Sequence, residues 1–434
     1  MNGTLPTPVL QGILNSSRTI FVTWRPLNDN ALSVLVKLFD NSGLIQTDTV
    51  PQGQTPYSML PNQPLNNPPY TIRLAATDGT NTGPDSPAAP VIIYTPVVAE
   101  LTYDTVKVAA TLKSPSPPPP PDTYYIMTIF EDGNGENSPP FTGLKGEGPL
   151  DHAPATAECH AIVTANRDTS QGGQFTCTST GPSSAPVGII TQPATIDRVQ
   201  YFSNTNVQID ATGPNSVGPP INGHRSFTGN AICSAPVLTD FTDAADVVKS
   251  DFDGEKGVME LTADVDPSQP VCVIAAGINR NGDTISVGPF SAPLQIITQV
   301  PAFLSLMSTT VSKLIANWSA VTLPNSAVRY IVELYRDSIL IDSQSTSDLH
   351  FLLGAQFEAG RVYTFAVQAT ANQDKVIGPL SGQAPGPFKS SAPAVVYDSL
   401  GRLFSMSITG YRNLTYTMDD FGNITNAKVS DNNA

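Results

Sequence analysis

Positive charge is scarce in this chain: 22 Lys and Arg stand against 37 Asp and Glu, a net charge of −15 over 434 residues. Phosphate backbones and anionic lipid surfaces are held by clustered cations, and no cluster of cations occurs here. Nucleic acid and an anionic membrane surface are therefore excluded as partners. The acidity serves instead to keep an exposed body soluble. Long apolar runs are missing as well. None reaches the ~18–20 residues that a helix needs to cross a bilayer, so no membrane insertion is expected. No stretch reads as a long amphipathic helix. Met1 to Pro6 carry neither the basic nor the apolar region of a secretion signal. That fits numbering from a mature or recombinant end, or export without a cleaved signal.

Catalytic motifs are also absent. The four histidines, His152, His160, His224 and His350, are far apart, and none lies in H-x-x-x-H or beside a G-x-S-x-G serine. They read as chance and surface residues. Phosphate-binding loops are missing. Paired carboxylates come together only in a fold, but with 14% charged residues and short loops the chain reads as a non-enzyme. Cys159, Cys177, Cys233 and Cys272 contain no C-x-x-C, which excludes the usual zinc site. Asp240, Asp243, Asp246, Asp251, Asp253 and Glu255 form the richest acidic stretch. Its centre lacks the third Asp and the distal Glu of a calcium loop, so it reads as a solvated loop. No cofactor is expected, with calcium as the single alternative. Arg-Gly-Asp does not occur, so integrin-type attachment has no support.

What the chain does have is 32 Gly, 40 Pro and 40% hydrophobic residues. Val, Ile, Thr and Tyr recur in short runs broken by Pro, Gly, Asn and Asp, the signature of many short strands. A motif also repeats. Gly83-Pro84-Asp85-Ser86, Gly181-Pro182-Ser183-Ser184, Gly288-Pro289-Phe290-Ser291 and Gly378-Pro379-Leu380-Ser381 lie 98, 107 and 90 residues apart, about one sandwich domain each. The first three run into similar apolar strands, Val91-Ile92-Ile93, Ile189-Ile190 and Ile296-Ile297. Early in the first and fourth repeats an alternating strand ends in tryptophan, at Trp24 and Trp318. A late strand opens on Tyr70 or Tyr363. Pro117 to Pro121 fall between the second and third strands of the second repeat and read as a stiff exposed loop rather than a polyproline ligand.

Across residues 5–393 the chain resembles tandem fibronectin type III domains. The resemblance rests on Trp24, Trp318, Tyr70, Tyr363 and the Gly-Pro-x-Ser turns. It implies an all-β chain of immunoglobulin-like sandwiches over residues 1–95, 96–191, 192–298 and 299–393, the middle two divergent. Such modules support scaffolding and recognition and imply no chemistry. Short Pro-bearing linkers are stiff, and units of roughly 35–40 Å would give an extended body of roughly 150 Å. Within these repeats the cysteines are expected to pair as Cys159–Cys177, across a late hairpin, and Cys233–Cys272, in an oxidising location.

Residues 394–434 differ. Tyr397-Asp398-Ser399-Leu400-Gly401 is echoed by Tyr416-Thr417-Met418-Asp419-Asp420-Phe421-Gly422. Asp at the start and Gly at the end suit a β-turn, so each copy reads as a hairpin. The pair resembles the tyrosine–aspartate (YD) repeat of bacterial Rhs-type surface and toxin proteins. The expected function is a structural or adhesive rod, extracellular or at the cell surface, with itself, other extracellular proteins or glycans as partners. Strand addition of the tail to Leu10–Leu14 would assemble filaments. The alternatives are a carbohydrate- or surface-binding module, or an accessory part of an Rhs-type toxin system.

Overall fold

The structure, a computed structural model, describes residues 5–16, 18–28, 32–66, 69–116, 118–150, 158–202, 205–214, 218–234, 244–310, 313–324, 326–354, 361–389, 394–397, 403–407, 413–418 and 424–430. It is an all-β protein whose strands follow one order four times, the first set lacking the next-to-last strand of the other three. The first set is β1 (Leu10–Ser16), β2 (Thr19–Trp24), β3 (Ser33–Asp40), β4 (Gly43–Pro51), β5 (Tyr57–Met59), β6 (Tyr70–Thr77) and β7 (Ala89–Val91). The second is β8 (Val98–Tyr103), β9 (Lys107–Leu112), β10 (Tyr124–Glu131), β11 (Asn134–Asn137), β12 (Lys145–Pro149), β13 (Cys159–Ser170), β14 (Thr176–Thr180) and β15 (Val187–Gly188). The third is β16 (Thr195–Tyr201), β17 (Asn206–Thr212), β18 (Gly223–Gly229), β19 (Val247–Asp253), β20 (Lys256–Glu260), β21 (Cys272–Asn281), β22 (Thr284–Val287) and β23 (Leu294–Gln295). The fourth is β24 (Phe303–Thr310), β25 (Lys313–Trp318), β26 (Val328–Arg336), β27 (Ile339–Thr346), β28 (His350–Gly354), β29 (Val362–Ala371), β30 (Val376–Leu380) and β31 (Ala384–Lys389). A tail of β32 (Ala394–Tyr397), β33 (Leu403–Ser407), β34 (Asn413–Met418) and β35 (Ile424–Ser430) follows.

Strand alternation builds the cores. In β3, Val34, Val36 and Leu38 point inward while their neighbours are half-buried, the two-residue period of a strand with one core face. The second strand behaves likewise, with Ile20, Val22 and Trp24 buried. Four main hydrophobic clusters result, one per set. Trp24 and Tyr70 lie in the first, Tyr125 and Met127 in the second, Ile209 and Val273 in the third, and Trp318 and Tyr363 in the fourth.

The chain divides into two compact units. One comprises Met1–Ala194, Gly213–His224 and Ala276–Phe290, the other Thr195–Thr212, Arg225–Ala275 and Ser291–Ala434. In the first unit, one sheet has the order β4-β3-β6-β7, and a second runs β11-β10-β13-β14-β1-β2-β5 with β15 on β13. A third ladder there runs β12-β9-β8-β22. In the second unit the order is β20-β17-β16-β30-β29-β26-β27 with β31 on β29, beside β24-β25-β28 and the tail sheet β32-β33-β34-β35. β18 and β19 pair there as well. Within the tail, β32 and β33 form one antiparallel hairpin and β34 and β35 another.

Three expectations need correction. Cys159 and Cys177 are free, buried thiols rather than a disulfide. Cys177 pairs in register with Thr169, ten residues along β13 from Cys159, a separation of about 33 Å at strand rise. The two sulfurs also serve different cores, Cys159 the second and Cys177 the first. Cys233 and Cys272 are bonded. Second, β1 is no open acceptor for a tail strand, because Gly12, Ile13 and Leu14 already ladder with Thr178, Ser179 and Thr180 of β14. Third, one of the histidines is not a surface residue, while His160 is half-buried and His350 exposed. His224 is buried in β18, and His160 stacks on Phe130 with ring centroids 4.9 Å apart. His152 lies outside the described residues.

Candidate functional site

The features that recur at every repeat are its joints. The next-to-last strand of one set runs parallel to the first strand of the set before it. β14 pairs β1 in this way, and β22 pairs β8 through Ile285–Val287 and Glu100–Thr102. In the second unit β30 pairs β16 through Val376–Ile377 and Val199–Gln200. Each joint leaves a strand that would otherwise be an open edge flanked on both sides, which removes a template for unwanted pairing.

The Gly-Pro-x-Ser motif clips the chain to the core strand before it in all four repeats, and in three of them it directly follows the joint strand. Its serine hydroxyl accepts the backbone N–H of the preceding core strand, and its own N–H donates to the same residue's carbonyl. Ser86 clips Leu74 at 2.9 and 2.7 Å, Ser184 clips Val163 at 2.9 and 2.8 Å, and Ser381 clips Val367 at 2.8 and 2.9 Å. Ser291 holds Ala275 at 3.2 and 2.8 Å. A fifth clip, which the repeat did not announce, joins Ser138 to Met127 at 3.1 and 2.7 Å. The Asn-Ser-Pro sequence there is its only signal.

The motif glycine is required by packing. A Cβ on Gly181, Gly288 or Gly378 would lie 2.6, 2.5 and 2.5 Å from Cγ2 of Ile92, Ile190 and Ile297. Those isoleucines belong to the apolar strand that follows each Gly-Pro turn one repeat earlier, so the two halves of the repeat interlock. Adjacent residues of that strand face opposite ways. Val91 enters the first core and Ile92 the second, while Ile296 enters the third and Ile297 the fourth. The backbone is tied down too, with the buried Asn15 side chain donating to the Ile92 carbonyl at 2.9 Å.

Within the first unit the joint region opens a cleft of about 1150 Å³. Its walls include Ile93, Tyr94, Pro118 to Pro121 and Arg167. Pro118 to Pro121 line this cleft, with Pro118 and Pro121 exposed as a loop. Tyr94 and Tyr125 share a hydrogen bond at 3.0 Å, and Tyr125 stacks on Phe141 at 5.6 Å. Burial, then the Tyr125 hydrogen bond, raises the Tyr94 phenol far above its ordinary range, so it stays a neutral hydroxyl.

The described residues of the acidic stretch do not converge. Asp251 is engaged by the Arg225 guanidinium through two contacts, at 2.8 and 3.0 Å, and Asp246 accepts the Ala231 N–H at 2.9 Å. Asp240 and Asp243 lie outside the described residues. Among the described residues no group of three or more His, Cys, Asp or Glu could hold a metal ion. Of the tail residues, Tyr397 ends β32 and Tyr416 lies in β34, whereas Asp398, Gly401, Asp419 and Gly422 lie outside the described residues.

Two further surfaces are apolar and exposed. β27, an edge strand, shows Ile339, Leu340 and Ile341 at 69, 47 and 40% exposure, and the edge strand β4 shows Leu44 and Ile45 at 54 and 40%. Neither was singled out from sequence, although Ile-Leu-Ile beside a turn was the available signal.

No family model matches the chain, and no curated protein matches it. Among solved structures, the crystal structure of chicken CNTN1 FN1–FN3 domains is similar at 14% identity and a TM-score of 0.23, covering 67% of this chain and 98% of that one.

Proposed function

We propose that the protein is a non-enzymatic, extracellular structural and adhesive module built of sandwich repeats divided near residues 95, 191, 298 and 393, with neighbouring repeats tied by strand pairing. The observation that carries this reading is the parallel ladder at each joint, which ties neighbouring repeats by backbone hydrogen bonds instead of a bare linker. The Cys233–Cys272 bond suits an oxidising compartment. The apolar edges of β4 and β27 supply adhesive surface, since exposed apolar strand edges recruit other chains. The tail's hairpins fit a YD-type repeat, and its edge strands β32 and β35 are the elements through which it would add to a partner.

The cleft beside Tyr94 favours a second reading, recognition of a glycan or another small ligand between rings and a guanidinium. Surface retention separates the two. On a quartz-crystal microbalance the wild-type chain should adsorb to protein-coated surfaces, and the Ile339→Lys/Ile341→Lys variant should lose at least half of that mass. Unchanged adsorption of the variant, with retention only on a glycan-coated sensor, would favour the cleft.

A further inference from the structure

The joints have a repeating grammar that leaves one place unfilled. In each set the first strand carries a bulge, between Leu10 and Gly12, Val98 and Glu100, Ile196 and Arg198, and Phe303 and Ser305. The residues just after the bulge take the incoming parallel strand: Gly12–Leu14, Glu100–Thr102, and Val199–Gln200. The matching residues of the fourth set are Ser305, Leu306 and Met307. Among the described residues β24 ladders with β25 alone and ends its sheet. β31 lies close to β24, but β7 lies equally close to β1, where the joint is occupied all the same.

The donor side has an unfilled place too, and it is closed. Donors are the residues preceding the motif glycine: Thr178–Thr180, Ile285–Val287 and Val376–Ile377. Their counterparts in the first set are Thr80, Asn81 and Thr82. There the Asp78 carboxylate accepts the Thr80 N–H at 2.8 Å and the Asn81 N–H at 2.6 Å. The Asn81 carbonyl in turn accepts the Asp78 N–H at 3.3 Å and the Thr77 hydroxyl at 2.8 Å. Every backbone polar group of Asn81 is thus spent inside its own hairpin, which leaves that hairpin no strand to offer.

We propose that Ser305–Met307 of β24 form a docking edge for the next-to-last strand of a further sandwich of this repeat, presented parallel by another protein chain and read by the Gly-Pro-x-Ser turn that follows that strand. The three occupied joints define this occupant: a β-branched or hydroxyl-bearing strand followed by glycine. The closed first hairpin keeps copies of this chain from filling one another's edges. The edge is a property of the ladder pattern and stands whether or not the protein adheres to surfaces.

A graft tests it. Replacing Thr77–Thr82 by the residues Ile278–Val287 opens the closed hairpin of the full chain. By sedimentation velocity the wild type should remain a monomer. The grafted chain should at least double its weight-average mass with rising concentration, and excess peptide of residues Thr284–Pro293 should return it to monomer. A grafted chain that melts like the wild type yet stays monomeric overturns the proposal, as does peptide-resistant association. Should the graft misfold, hydrogen exchange decides: the same peptide added to the wild type must slow the amides of Ser305–Met307, and unaltered exchange there sinks the idea. Self-association of the wild type that protects those amides would also overturn it, because the first hairpin would then not be closed.

Discussion

Arg225 and Asp251 form an ion pair whose cation is buried. The guanidinium side chain is 4% accessible and the carboxylate 23%, and their two-pronged contact is what makes burial of either charge tolerable. Arg225→Ala should cost about 3–5 kcal/mol by urea denaturation, whereas the double variant Arg225→Met/Asp251→Leu should cost much less. A double variant as unstable as the single one would mean the cost comes from packing rather than the stranded charge. The free cysteines give a pH signature. Burial pushes the Cys177 thiol up to about 12, and the Cys159 thiol up to about 11, from an ordinary value near 9. Stability from the neutral thiol is therefore complete below pH ~9 and is lost as pH rises from there toward 12, at most about 1.4 kcal/mol per pH unit for Cys177. Comparing urea midpoints at pH 7.5 and 10 should show this loss in the wild type and less of it in Cys177→Ala. The native protein should leave a thiol reagent unreacted and yield two thiols once unfolded. Cysteine count and domain assignment suggested two bonds, but which core a cysteine faces depends on a strand's neighbours. β14 lies beside β1, a relation that no spacing in the chain encodes.

At the scale of elements, the strands were legible and their partners were not. Trp24, Trp318, Tyr70 and Tyr363 fall on buried strands because alternation and β-propensity are local signals. The Gly-Pro-x-Ser motif was visible as a turn, yet its work is a clip and an interlock, both of which need residues more than ten positions away. Its energetics follow from geometry. Ser184→Ala leaves the Val163 N–H without its hydroxyl partner in a buried strand and should cost about 1–3 kcal/mol. Gly288→Ala forces a methyl against the Ile190 side chain and should cost a similar ~1–3 kcal/mol. The clash is with one side chain, so Gly288→Ala combined with Ile190→Ala should be less destabilising than the two costs added. Strict additivity, measured by chemical denaturation, would show that the glycine and isoleucine do not meet. The joints themselves were illegible. Parallel pairing between the first strand of one set and the next-to-last of the next joins residues up to 185 positions apart, for instance Glu100 with Ile285. Nothing in either strand's own pattern distinguishes an occupied edge from an open one.

At the scale of the whole molecule the joints decide how unfolding spreads. Independent beads on stiff linkers would each melt alone, since a linker transmits no free energy. Here the first and second sets, both inside one compact unit, share the β1–β14 ladder, and Cys177 of the second set is buried in the first core. Opening the first set therefore exposes Cys177, frees Gly12–Leu14 from Thr178–Thr180 and releases Ile92, whose carbonyl Asn15 holds. Each lost buried apolar side chain is worth about 1.5–3 kcal/mol, and nearest-neighbour interfaces of this kind couple repeats as in a one-dimensional array. Leu38→Ala makes the test. Leu38 is fully buried in β3 of the first core, and its truncation should cost about 2–5 kcal/mol there. Hydrogen exchange in the native state should then show lost protection in β3 and, by a smaller amount, in β14 of the second set. The amides of β29, in the other unit, should exchange as before. Equal protection of β14 in variant and wild type would mean that the first two sets unfold independently and that the ladder joining them carries no stability.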